Sequence, residues 1–238
     1  MGSQTEGAGY VDAERNDDEM LHEVQLSPFL LARHELTQGQ WARLWFGSED
    51  DRLPSRYAAG QSFAGRPVTA ANPVEQVDWT MSRDVMRMHG LRLPTEAQWE
   101  YGCRADSVTP WCVGKDLLVG YANLADQTAK RERVSWPCES WQDGYFQHAP
   151  VGSFAPNAFG LYDVHGNVWE WCADRYGAYG SERPGDGLNL VSGSSSRVYR
   201  GGSFDLPAAY ARSSHRDAIG PAVRADYLGL RPARLLFD

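Results

Sequence analysis

The side chains most able to do chemistry are few and scattered. Four cysteines occur, Cys103, Cys112, Cys138 and Cys172. Their spacing matches no zinc pattern, so buried free thiols are the plain reading, with one disulfide left open. The six histidines include His22, His34, His89 and His165. None has the HxxxH or HExxH spacing of a metal site, and each reads as a structural histidine. The segment Asp163-Val164-His165-Gly166-Asn167-Val168-Trp169-Glu170 is different: it sets two carboxylates around a glycine. Calcium takes carboxylate and carbonyl oxygens in flexible geometry, so this segment is a candidate cation loop; the plain alternative is a turn aspartate and a paired glutamate. Near the C-terminus, Ser203, His215 and Asp217 or Asp226 make a Ser/His/Asp set of the kind that activates a hydroxyl nucleophile. Such a set is frequent by chance in a loop.

The elements that must position these groups can be traced along the chain. Residues 1–20 are polar and acidic, without the basic and apolar regions of a secretory signal, and are expected to form a disordered leader. The stretch HEVQLSPFLLARHELT is strand-like. Thr37 then caps a helix beginning GQWARLW, with Gln40 completing a capping box. In VDWTMSRDVMRMHG, Val85, Met88 and His89 share one helical face, and Gly90 is the expected stop. Thr95 caps the next helix, with Gln98 as its capping-box partner. Residues 106–160 lose periodicity and need ions or dense aromatic packing to order them. Strands return at LYDVHGNVWEWCAD, RVYRGGSF and YLGLRPARLL. This order predicts one α+β domain over residues 21–238.

Composition narrows the function. A formal charge of −8 disfavours a nucleic-acid partner, which would need a basic face. No apolar run is long enough to cross a membrane, and without a signal peptide a cytoplasmic location is expected.

Six segments in order, LTQGQW, NPVEQVDW, RLPTEAQWEYGCRA, NAFGLYDVHGNVWEWCAD, RVYRGGSF and LGLRPAR, resemble the formylglycine-generating-enzyme (sulfatase-modifying factor) family. The resemblance covers about residues 22–235. It implies a C-type-lectin-like scaffold with two helices, small antiparallel sheets and long irregular loops. It also implies calcium, held in one site by Asp163, Gly166, Val168 and Glu170 and in a second by Asn123, Leu124, Asp143 and Tyr145. In the enzymes, two copper-binding cysteines follow the RGGS motif by three and eight residues. Here the motif is Arg200-Gly201-Gly202-Ser203, and the matching positions are Leu206 and Ala211. Neither can bind copper(I) or act as a nucleophile, so neither copper nor the oxidase reaction is expected.

The segment that replaces the active site divides into two sets. Ala211-Arg212-Ser213, Arg216, Gly220-Pro221, Arg224 and Gly229 look like scaffold. Asp205, Leu206, Ala209, Tyr210, Ser214, His215, Asp217, Ile219, Val223, Ala225, Asp226 and Tyr227 mix charged, apolar and aromatic types without periodicity. Every member of this second set can be encoded by a codon ending in a pyrimidine, as would arise if AAC were mutated at its adenines. Residues 205–227 contain no Lys, Glu, Gln, Met or Trp. This resembles the variable region of diversity-generating retroelement proteins, which close on a GFR-like strand, here Leu228-Gly229-Leu230-Arg231. The resemblance implies a variable region at about 204–231 that binds a protein or other macromolecular ligand. The alternatives are an accessory domain with a fixed partner and an enzyme of other chemistry on the same fold.

Overall fold

The computed structural model describes residues 1–3, 16–45, 53–132, 134–180 and 182–236. Both capping boxes form. The Thr37 hydroxyl accepts from the Gln40 amide and the Gln40 side chain from that of Thr37, opening α1 (Gln38–Leu44). Thr95 and Gln98 do the same for α3 (Glu96–Arg104). Between them lie the short hairpin β2 (Ser62–Phe63) and β3 (Arg66–Pro67), then α2 (Trp79–Met88), capped by Asp78. The buried stripe of α2 is Trp79, Ser82, Val85 and Met86. This corrects the expected Val85–Met88–His89 face. Met88 is 67% exposed, because the last turn overhangs the core, and His89 turns back to bring Nε2 within 2.9 Å of the Leu44 carbonyl oxygen.

Among the described residues of 106–160, the helical elements are a 3₁₀ turn at Lys115–Gly120 and the short α4 (Gln127–Arg131). Trp111, Leu118, Ala122 and Leu124 give this region its own apolar cluster, flanked by Trp141. Aromatic packing therefore supplies much of the order that periodicity does not.

The strands come late. β1 (Phe29–Leu31) pairs antiparallel with β8 (Ala233–Leu235). The principal sheet runs β6 (Arg216–Ile219), β5 (Arg197–Arg200), β4 (Trp169–Arg175), β7 (Leu228–Gly229), with only the β4–β7 pair parallel. The expected closing strand YLGLRPARLL is thus split between two sheets. The fold is α+β with small sheets, few helices and long loops.

Register gives the principal sheet two unlike faces. Glu170, Arg200 and Arg216 stand side by side across β4, β5 and β6. They face α3, whose Glu96 and Glu100 pair with Arg200 at 3.0 and 2.5 Å, while Arg216 also pairs with Glu96. Trp171, Tyr199 and Asp217 occupy the next row and, by alternation, the other face. There Trp169, Trp171 and Tyr199 join Trp41, Val74, Val77, Met86 and Leu228 in the largest apolar cluster.

Part of the expected leader is ordered against the domain. The Ser3 amide donates to the Glu19 carbonyl, and the Ser3 and Glu19 side chains are buried. Residues 4–15 lie outside the described residues. Among the described residues, all four cysteines are free and no helix is long and apolar enough to cross a membrane.

Candidate functional site

The site is built where the aromatic face of the principal sheet runs out to solvent. Trp169 and Tyr199 pack edge to face at 4.8 Å, and Trp171 and Tyr199 at 5.9 Å. At the margin of this cluster sit Leu206, Ile219 and Tyr227, all half-buried. Asp217 lies beside Tyr199. Burial and that carboxylate together push the Tyr199 hydroxyl well above its ordinary value. Burial also raises Tyr227, with Asp205, Asp226 and Asp217 adding to it. The three aspartates therefore converge on one aromatic margin. Asp226 is paired with Arg56 at 2.6 Å, and Asp205 accepts from the Ser203 hydroxyl. Burial raises the Asp205 carboxyl despite that bond.

Of the twelve expected ligand-contacting residues nine reach solvent and three are buried. Tyr210 is 40% exposed; Asp205, Leu206, Ala209, Asp217, Ile219, Val223, Asp226 and Tyr227 are partly exposed. Ser214, His215 and Ala225 are buried, which corrects their expected display. Ala225 is held in the main apolar cluster and its carbonyl accepts from the Gln76 amide. Ser214 and His215 are covered by Glu19, a residue sequence reasoning placed in the leader. The expected scaffold set is buried at Ala211, Arg212, Ser213, Arg216 and Gly229. Gly220, Pro221 and Arg224 depart from it by reaching solvent.

The positions that would carry the copper-binding cysteines are filled with hydrocarbon. Leu206 packs on the main cluster, and Ala211 is fully buried beside Trp111 and Ala208. A thiol, that of Cys103, lies in this region, with its Sγ 3.5 Å from the Ser213 hydroxyl. Burial pushes it up to about 12, so it stays a thiol at neutral pH. The Ser/His/Asp set is not assembled either. The buried Ser203 hydroxyl bonds Asp205, while His215 Nδ1 lies 3.3 Å from both Arg212 Nη2 and Asn16 Nδ2.

The two candidate cation loops differ. In the first, both Glu170 oxygens are engaged: Trp99 Nε1 donates at 2.6 Å, and Arg231 Nη2 and Nε donate at 2.7 and 3.0–3.1 Å. Asp163 accepts from the Gly152 amide through Oδ2, and its buried Oδ1 has no hydrogen-bond partner. Burial pushes Asp163 up to about 6, with the Glu170 charge adding to it. Glu35, buried beside them and bonded to Asn167 and Val168, is pushed well above the carboxylate range by burial and by Asp163 and Glu170. Gly166 has no room for a side chain, since a Cβ would meet the Asn123 carbonyl oxygen at 2.1 Å.

In the second loop, Asp143 accepts from the Leu124 and Tyr145 amides and is pushed up to about 7, first by burial and also by Asp126. The Asn123 Oδ1 is buried without a hydrogen-bond partner. Asp126, missed in the sequence, caps α4 and accepts from the Asp143 amide. An orphaned amide oxygen and two crowded carboxylates are the donor types a hard cation takes. The first loop fits less well, because Arg231 already neutralises Glu170. Among the described residues, no group of three or more His, Cys, Asp or Glu is arranged to hold a metal ion.

The family model for the sulfatase-modifying factor enzyme 1-like domain matches residues 2–236. The chain belongs to that family. Formylglycine-generating enzyme from Streptomyces coelicolor is 33% identical over 190 residues, covering 74% of this chain and 55% of that protein. The bovine protein named inactive C-alpha-formylglycine-generating enzyme 2 is 31% identical over 212 residues, covering 84% and 62%. The family therefore includes members named as inactive, and the chain spans little more than half the length of these curated relatives. Among solved structures, PvdO from Pseudomonas aeruginosa superposes with a TM-score of 0.78 at 28% identity, covering 99% of this chain and 90% of that one. Treponema denticola variable protein 1 superposes at 0.74 and 24% identity, covering 92% and 89%, and so shares the fold.

Proposed function

We propose that this protein is a non-catalytic binder of the diversity-generating retroelement type, whose segment 204–231 displays side chains toward a protein or other macromolecular ligand. The observation that carries the reading is the division within one segment. Nine of the twelve display positions, twelve less the buried Ser214, His215 and Ala225, reach solvent, and Leu206, Ile219 and Tyr227 among them pack on the main aromatic cluster. Five scaffold positions in the same segment are buried; Arg216 is locked by its ion pair with Glu96, Ser213 by backbone bonds to Pro110 and Arg200, and Gly229 by close backbone contact. Loops on a rigid frame tolerate side-chain change at the first kind of position and not at the second. Tyr210 and Tyr227 offer large contact area at low entropic cost, and Asp205, Asp217 and Asp226 supply polar selection. Leu206 and Ala211 leave the margin without the family's thiolates, which supports binding over oxidation.

A calcium ion at Asn123, Leu124, Asp143 and Tyr145 is a structural part of this proposal, with Asp126 as an added neighbour. When bound, it would neutralise the Asp126–Asp143 pair and brace residues 123–145 beneath the margin.

The test is the DNA beside the gene. A near-identical repeat carrying adenines at the display codons, together with a reverse-transcriptase gene, is expected. A complete neighbourhood lacking both would overturn the reading.

A further inference from the structure

The withdrawal of Ser214 and His215 from the display set has a specific chemical cause. A single carboxylate, that of Glu19, lies over them. Arg212 donates to it from Nη1 at 2.7 Å and Nη2 at 2.8 Å. The Ser214 hydroxyl donates at 2.9 Å, that of Ser3 at 2.5 Å, and Asn16 Nδ2 at 3.1 Å. His215 Nδ1 stands 3.6 Å from Oε1. Burial acts to raise this carboxyl, but the nearby His215 ring and the bonds from Arg212 and Ser3 outweigh it and hold the group far below the carboxylate range. A forked guanidinium backed by a hydroxyl is the arrangement that recognises carboxylates in binding sites.

The segment bearing Glu19 is held unlike the rest of the fold. Its apolar neighbours Met20 and Leu21 are 62% and 53% exposed, so they add little burial. Its other described anchors are mainly polar, the His22 ring against Tyr179 at 4.3 Å being the aromatic exception. Tyr176 Oη donates to Asp18 at 2.6 Å, Arg216 Nη1 reaches the Asp18 carbonyl at 3.4 Å, and the Ser3 amide donates to the Glu19 carbonyl. A segment bound by hydrogen bonds and one ion pair can exchange those partners for water or for an equivalent ligand group. A segment anchored by buried hydrocarbon has no such substitute. The covered residues also adjoin the display margin, since His215 packs against the rings of Tyr210 at 5.2 Å and Trp169 at 5.9 Å.

We propose that Arg212, Ser214 and His215 form a carboxylate-recognition subsite at the edge of the ligand face, filled in the resting molecule by Glu19 and entered by a glutamyl side chain of the bound protein. The subsite rests on the binding reading above and gives it a ligand chemistry. It also restores Ser214 and His215 to the face, as contacts made once Glu19 moves away.

The experiment uses the full chain and N-acetylglutamic acid amide, which carries a side-chain carboxylate only, with N-acetylglutamine amide at equal ionic strength as control. In Glu19→Ala the acid is expected to raise the melting temperature saturably, and at least about tenfold lower concentration should suffice than in the unaltered chain, where Glu19 competes. Adding Ser214→Ala should weaken that response several-fold. No difference between the acid and the amide control in Glu19→Ala would overturn the subsite. In the unaltered chain, hydrogen exchange should show the Ser3 and Glu19 amides opening at least about a hundredfold faster than those of Val74 and Trp169. Exchange of all four only through global unfolding would make Glu19 part of the frame and overturn the displacement. Neither arm needs the natural ligand, so the subsite can fail while a template repeat beside the gene still upholds binding.

Discussion

Two interleaved sets of residues in the stretch 205–231 obey different physics. Arg212, Arg216 and Arg231 are buried, and each meets a buried glutamate: Glu19, Glu96 and Glu170. Asp205, Asp217, Asp226, Tyr210 and Tyr227 lie one to a few residues away and keep contact with water. The difference is one of alternation in the strand and of direction in the loop. In β6, Arg216 points into the ion-paired face against α3, while Asp217 points to the aromatic face and its open margin. One chain segment can therefore be rigid and permissive at once, provided the two kinds of position never exchange faces.

The largest effects are expected in the buried set. Arg231→Leu leaves Glu170 unpaired beside Asp163 and Glu35 in a site shut off from water. Removing one partner of a buried pair costs about 3–5 kcal/mol, so denaturant unfolding should show a loss of that size or no folded protein. Gly229→Ala comes next. A Cβ there would sit 2.5 Å from the Val74 carbonyl oxygen and 3.1 Å from Val168 Cγ2, so β7 must shift. Overpacking of this kind costs about 1–3 kcal/mol by the same measurement.

A pH series sharpens the picture of the frame. Asp174, in β4 behind the display margin, accepts from the Glu96 and Asn189 amides and is pushed up to about 7 by burial, with Glu96 adding to it. Its folded value lies above its unfolded one. Between the unfolded value and about 7 the folded state thus holds more protons, so this carboxyl lowers stability as pH rises through that window. The melting temperature should fall from pH 5 to 8, and Asp174→Asn should flatten the slope. The smallest effect is expected on the other set. Tyr210→Ala, at an exposed position, should change stability by no more than about 0.5 kcal/mol, and a larger loss would place Tyr210 in the frame.

What could be read from the sequence follows the range of the interactions. The capping boxes at Thr37 and Thr95 each span only four residues, and both form as expected. The α2 face needed tertiary knowledge: Met88 fits the helical repeat of Val85 but lies beyond the edge of the core. The positions of Leu206 and Ala211 followed from spacing after RGGS. The burial of Ser214 did not, because its partner Glu19 is 195 residues away in a stretch whose composition suggested disorder. Asp126 escaped notice for a related reason. Its role as a helix cap is local, but its closeness to Asp143 comes from the fold of an irregular loop.

Whether the two sets differ in what they tolerate is read by randomising, in separate libraries of the full chain, the nine solvent-reaching display positions and the five buried scaffold positions, then sorting each library for protease-resistant folded protein. Most display-set variants should survive, and scaffold-set survivors should return almost wholly to Ala211, Arg212, Ser213, Arg216 and Gly229. Equal loss of folded protein from the two libraries would contradict the account.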